Sequence, residues 1–204
     1  EAVGLGSMGR GKFVAQRKSG NRGKPPPSIL IGAKTEPNYF LGFKRANRIS
    51  SLTIEIVGLG KNTKRLVEDA ISLKEELQPE RCWCVFDRDS FLDEHVNTAC
   101  QQARENGCEV AISNECFELW YLLHFDYLDA ALSRQQYPDM LSARLGHGYK
   151  KNSETMYEEL AERTAHAIRN ATKLLNRYAQ HNPAKNNPST TVHQLIQELL
   201  AASR

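Results

Sequence analysis

Through the first 125 residues, short apolar runs alternate with stretches of helical periodicity. Ser28–Gly32 is a brief apolar run of the kind that makes a buried strand. A helix is expected from Pro37 to about Arg48, with Thr35 as its N-cap and Pro37 in its first turn. Leu52–Val57 is rich in β-branched residues and ends in Gly58-Leu59-Gly60, which reads as a strand and a turn. Asn62 or Thr63 caps the next helix, whose Leu66, Val67, Ala70, Ile71 and Leu77 keep helical spacing until Pro79 closes it. Cys82–Phe86 is a third, wholly apolar strand. Asp93–Asn106 is a helix stopped by Gly107. Glu109–Ile112 makes a fourth strand, and Cys116–Phe125 a strongly apolar helix.

Strand and helix thus alternate four times with short connections, which implies a four-stranded, mainly parallel sheet with helices on both faces. The strands lack polar alternation, as expected when both sheet faces are covered. After residue 126 the pattern is helical. One long helix is expected from Ser153 to about Tyr178, followed by a polar Asn/Pro loop at 182–188. A last helix is capped by Ser189 or Thr190 and carries Val192, Leu195, Ile196, Leu199 and Leu200. The expected organisation is a basic arm over 1–27, an α/β domain over 28–125 and a helical C-terminal region over 126–204 packed on it. The seven residues before Met8 read as a tag remnant.

Charge changes this picture only locally. Residues 1–27 hold Arg10, Lys12, Arg17, Lys18, Arg22 and Lys24 against Glu1, a net of +5; the whole chain is +3, so the rest carries −2. A basic arm can grip phosphates through a salt-sensitive, sequence-independent term, although a solvated arm is the plainer reading. No apolar run approaches the roughly 18 residues that span a bilayer, so no membrane role is expected. The five cysteines, Cys82, Cys84, Cys100, Cys108 and Cys116, are odd in number and form no C-x-x-C pair. Neither a disulfide framework nor a zinc site is expected, and a reducing cytoplasm fits best.

In open α/β sheets, ligands gather at the carboxyl ends of the strands. There this sequence places Lys34 and Glu36, then Lys61 and Asn62, then Asp87, Arg88 and Asp89, then Asn114. Asp87 and Asp89 would present two carboxylates on one turn, a donor set suited to Mg²⁺ or Mn²⁺. Polar capping of a turn is the alternative. Glu118 stands on an apolar helix, where a carboxylate needs a partner or a metal; a core ion pair with Arg88 or Lys34 competes with a catalytic role. His124 reads as a core histidine. Lys150 and Lys151 could clamp a phosphate or form an exposed turn. Gly58-x-Gly60 lacks the third glycine of a dinucleotide fingerprint.

Five segments together resemble the RloB/AbiLii family: Gly32-Ala33-Lys34-Thr35-Glu36-Pro37-Asn38-Tyr39-Phe40, Trp83-Cys84-Val85-Phe86-Asp87-Arg88-Asp89, Ser113-Asn114-Glu115-Cys116-Phe117-Glu118-Leu119-Trp120, Tyr149-Lys150-Lys151-Asn152 and Asn187-Pro188-Ser189-Thr190-Thr191-Val192. The resemblance covers about residues 28–200. It implies a TOPRIM-like domain and a metal-dependent nuclease acting on DNA, tRNA or other RNA. It also implies a place in bacterial anti-phage defence beside an ABC/SMC-like ATPase. On it, the catalytic set would be Glu36, Asp87, Asp89 and Glu118, with Asp87, Asp89 and Glu36 on the metal. Lys34, Lys61, Asn62, Arg88, Asn114, Lys150 and Lys151 would face phosphates. The chain departs from the family at one place: the family's Glu after the first strand falls, without gaps, on Ile31. The nuclease step is lost, or the chain has a gap here relative to the family, or Glu36 takes over. A silent binding or regulatory subunit is the rival reading, and a D-x-D phosphatase a third, which Ser90 disfavours. How many chains assemble is open, a homo-oligomer included.

Overall fold

The strand Cys82–Asp87 (β3) lies at the middle of the sheet and fixes the rest of the fold. In the computed structural model, which describes residues 28–31, 36–49, 52–56, 63–88 and 92–203, β3 pairs in parallel with Ser28–Ile31 (β1) on one side and Glu109–Asn114 (β4) on the other. Thr53–Ile56 (β2) pairs in parallel with β1, and Ser189–Thr190 (β5) closes the far edge antiparallel to β4. The order is β2-β1-β3-β4-β5. The fold is therefore α/β, as expected. The expected four-stranded, mainly parallel sheet is corrected to a mixed sheet of five strands, in which β1–β4 are parallel and β5 adds an antiparallel edge.

Alternate residues of β3 feed two cores. Trp83 and Val85 join Tyr39, Phe40 and Phe43 of Glu36–Ala46 (α1) and the residues 116–123 around Glu118–Leu122 (α4). Cys82, Cys84 and Phe86 join Leu66, Val67 and Ala70 of Thr63–Leu77 (α2) and Val96, Ala99, Cys100 and Ala103 of Asp93–Glu105 (α3). Burial on both faces explains why β3 carries no polar alternation. Gly107, with φ +69°, turns the chain from α3 into β4. A side chain there would be strained in that backbone conformation and would meet the Lys74 ammonium.

The C-terminal helices complete the first core rather than forming one of their own. Gln136–Leu145 (α5) contributes Tyr137 and Leu141, Met156–Leu160 (α6) packs on α1, and Thr164–Leu175 (α7) and Val192–Ala202 (α8) close over the β4–β5 edge. The single helix expected over 153–178 is corrected to α6, a 3-10 turn at Ala161–Arg163, and α7. Met156, Tyr157, Leu160, Thr164, Ala167, Ala171 and Leu174 are all buried, so the apolar stripe runs unbroken through the 3-10 turn. Periodicity alone could not reveal the break. No helix among the described residues is long and apolar enough to cross a membrane.

Two further expectations are revised. Ser189 and Thr190 form β5 and Thr191 is the N-cap residue of α8, although Thr190 Oγ1 still accepts a 3.3 Å bond from Val192 N–H at the helix start. Ser113 Oγ and Thr190 Oγ1 share a hydrogen bond of 2.9 Å. Thr191 Oγ1 accepts from Ile112 N–H and donates to Val110 O, both at 3.0 Å. The cysteines are not all thiols: Cys82 and Cys108 form a disulfide. The parallel register that sets Trp83 against Glu109 brings these two residues side by side, with Cα atoms 4.6 Å apart. Cys84, Cys100 and Cys116 are free and buried.

Because the Thr191 hydroxyl serves two backbone groups of β4, Thr191→Val keeps the side-chain shape but strands buried polar atoms. Such losses cost about 1–3 kcal/mol each. Urea unfolding should show a lower midpoint with unchanged slope.

Candidate functional site

The site forms where burial ends on β3. Asp87 is the last strand residue, with its side chain 14% exposed, and it pairs in register with Ser113 of β4. Arg134, on the segment leading into α5, places its guanidinium 3.4 Å from Asp87 Oδ2. Arg88 donates its backbone N–H to Ser113 O at 2.9 Å and its guanidinium to Asp93 Oδ1 at 2.9 Å, tying the strand end to the start of α3. The expected Asp87–Asp89 turn is thus half visible: Asp87 is in the strand, and Asp89 lies outside the described residues.

Glu118, at the start of α4, is buried. Its carboxylate accepts a 3.1 Å hydrogen bond from Tyr149 Oη and stands 3.7 Å from Lys151 Nζ. The sequence suggested an ion pair with Arg88 or Lys34; Arg88 pairs with Asp93 instead, and Lys34 lies outside the described residues. Asn152 adopts the left-handed backbone that asparagine tolerates, with φ 64°. Its carbonyl accepts a 2.6 Å bond from Asn38 Nδ2 on α1. The segment 149–152 thereby joins α1 to α4. Lys150 is exposed.

Asp87, Glu118 and Arg134 share one electrostatic neighbourhood with Cys116 and Tyr137. Burial pushes the Cys116 thiol well above its usual range, the carboxylates of Glu118 and Asp87 push the same way, and Arg134 opposes them. Burial likewise raises the Tyr137 phenol, with Cys116, Glu115, Glu118 and Asp87 contributing in the same sense. Both groups are held uncharged. The charged donors in this neighbourhood are carboxylate oxygens, which suit a hard cation and not a thiophilic one. Among the described residues, no three His, Cys, Asp or Glu side chains gather into a metal cluster. The Glu36 side chain, Lys34, Lys61 and Asn62 lie outside the described residues, as does the basic segment 1–27.

Asn114 is buried at the end of β4, and its amide donates to Pro183 O and Ala184 O at 3.0 Å each. It anchors the loop that leads into β5. All five segments singled out in the sequence therefore supply residues at or beside the carboxyl edge of the sheet. A model of the RloB-like protein family matches residues 29–199. The chain belongs to the RloB-like family. None of the curated proteins compared with it matches.

Within this RloB-like chain, sequence reasoning missed Arg134 and Tyr137, and gave Tyr149, part of the fourth segment, no role of its own. Arg134 sits in an unremarkable polar stretch and carries no signal by itself. Tyr149 directly precedes Lys150 and Lys151, and its link to Glu118 depends on a turn that no local pattern specifies. His124 is a core residue, as its apolar surroundings suggested: it is fully buried, with Nδ1 2.9 Å from Trp120 O.

Burial lowers His124 to about 4 from 6.5, and the same cause lowers His193 to about 4. The folded chain keeps both neutral, so the unfolded chain takes up protons first as pH falls. The stability this contributes is complete above about 6.5 and is lost between there and about 4. Thermal midpoints should therefore fall as pH drops through this window. The fall should be shallower in His124→Gln, whatever that variant's absolute stability; an identical pH slope in both would contradict the assignment.

Proposed function

We propose that this RloB-like chain is a divalent-metal-dependent nuclease that cleaves phosphodiester bonds in nucleic acid. It would serve as the effector of a bacterial anti-phage defence system with an ABC/SMC-like ATPase partner. The observation that carries this reading is the convergence of Asp87, Glu118, Arg134 and Lys151 at the carboxyl edge of the sheet, from four separated parts of the chain. Opposite charges gathered at a strand-end crevice suit a substrate that brings both phosphates and a counter-cation.

On this reading Asp87, with Asp89 and Glu36, would hold Mg²⁺ or Mn²⁺, which supplies Lewis-acid stabilisation of the phosphate oxygens. The chain's own residues do the rest. Arg134, at 33% side-chain exposure, has room to exchange Asp87 for a phosphate oxygen. Lys151, at 46%, can do the same while Tyr149 retains Glu118. Glu118 is the buried carboxylate best placed to accept or return a proton once Lys151 turns to the substrate. Lys34, Lys61, Asn62 and Lys150 are assigned to the phosphate backbone.

One observation favours a second reading, a binding or regulatory subunit with weak cleavage. Ile31 ends β1 in register with Val85, two residues before Asp87 on the neighbouring strand. No carboxylate is available at the strand position where the family resemblance places one.

Asp87→Ala is expected to abolish Mg²⁺ binding by calorimetry and metal-dependent cleavage of RNA and DNA alike; unchanged metal affinity would sink the metal assignment. Ile31→Glu should raise the initial cleavage rate at saturating Mg²⁺ by about 10²-fold or more. Equal, robust rates in both chains would instead make Glu36 or Glu118 the working acid.

A further inference from the structure

Outside the carboxyl edge, the outer face of α7 stands apart in charge. Residues 163–197 contain Arg163, Arg169, Lys173, Arg177 and Lys185 and no Asp or Glu, in a chain that has 24 acids. Arg169, Lys173 and Arg177 recur every four residues, so they rise along one side of α7 and its C-terminal extension in steps of about 6 Å. All three are exposed, while Ala167, Asn170, Ala171 and Leu174 turn the opposite side of the helix into the core.

These cations line a surface groove of about 610 Å³ whose remaining walls include Tyr127, Thr172, Asn176 and Gln197. Lys173 Nζ lies 4.0 Å from the centre of the Tyr127 ring. Arg177 donates to Asp129 O at 2.8 Å, with Asp129 Oδ2 at 3.8 Å. Both side chains are thus held at the groove by their neighbours. Neither Arg169 nor Lys173 has a carboxylate partner among the described residues. Like charges at i and i+4 destabilise a helix surface, and solvated helices commonly intersperse acids to offset this. Here no acid stands three or four residues from Arg169 or Lys173 along the chain.

We propose that this groove binds the phosphodiester backbone of nucleic acid, as a second contact surface separate from the Asp87 site. Regularly stepped cations meet the repeating charge of a strand. Thr172, Asn176 and Gln197 add neutral hydrogen-bonding groups that suit phosphate and sugar oxygens. The stepped charges address the backbone rather than a base edge, so the contact proposed here positions a strand without reading its sequence. The proposal does not rest on the nuclease reading, because it needs neither the metal nor cleavage.

The test measures binding of labelled RNA and DNA oligonucleotides, single-stranded and duplex, to the full chain over a salt series. Arg169→Gln/Lys173→Gln should weaken binding about tenfold or more and lower the salt slope by about 2, equally across sequences. The arm over 1–27 is the same in both chains, so the slope difference isolates the groove. Circular dichroism and Mg²⁺ calorimetry on the variant should match the parent. The RNA and DNA arms report which strand it prefers. Parent and variant with the same affinity and slope, or a parent that binds no oligonucleotide, would overturn the proposal. So would tighter binding of polyglutamate than of oligonucleotides, which would assign the groove to an acidic protein. Asp87→Ala separates the two readings: if the nuclease assignment fails, oligonucleotide affinity and its dependence on Arg169 and Lys173 still stand.

Discussion

Burial of β3 on both faces is the constraint on which the other elements depend. A strand flanked on each side by a parallel neighbour can satisfy its backbone only inside a sheet, and its apolar side chains then need cover above and below. Trp83 and Val85 recruit α1 and the C-terminal helices, whereas Cys84 and Phe86 recruit α2 and α3. Asp87 stands where that double cover gives out. Its carboxylate is placed by the same packing that builds the core, and no separate scaffold is needed to present it.

The C-terminal third of the chain is bound to this arrangement through polar contacts as much as apolar ones. Hydroxyls of Thr190 and Thr191 and the amide of Asn114 reach between β4 and the returning chain. These groups lie in the interior, where an unpaired donor or acceptor is costly, so each contact fixes position as well as adding stability. The consequence is a site assembled from distant parts of the sequence. Arg134 reaches Asp87 from the approach to α5, and Tyr149 and Lys151 reach Glu118 from the turn before α6. Asp87 and Glu118 each have a cation beside them, which limits the cost of desolvating them.

Much of the α/β framework was legible in the sequence. β1, α1, β2, α2, β3 and α3 fall close to their expected limits, because each is encoded locally by an apolar run or a helical stripe bounded by Gly, Pro or a capping residue. Legibility declines where pairing replaces pattern. β5 is two polar residues long, too short and too hydrophilic to carry a strand signal, and exists because β4 offers an open edge. The Cys82–Cys108 pair required the register of β3 against β4, which composition cannot supply. The Ala161–Arg163 tightening leaves the buried stripe intact and so leaves no trace in it.

By itself, then, the sequence determined the strand and helix alternation, the apolar strand that ends in Asp87, the buried position of His124, and the five segments that mark an RloB-like chain. Those are local or compositional properties, set by side-chain volume, periodicity and polarity. The tertiary structure alone decided which charges meet: Arg134 with Asp87, Lys151 and Tyr149 with Glu118, and Arg88 with Asp93. Partner choice between distant ionic groups depends on distances a few ångströms wide, and only the packed fold sets them.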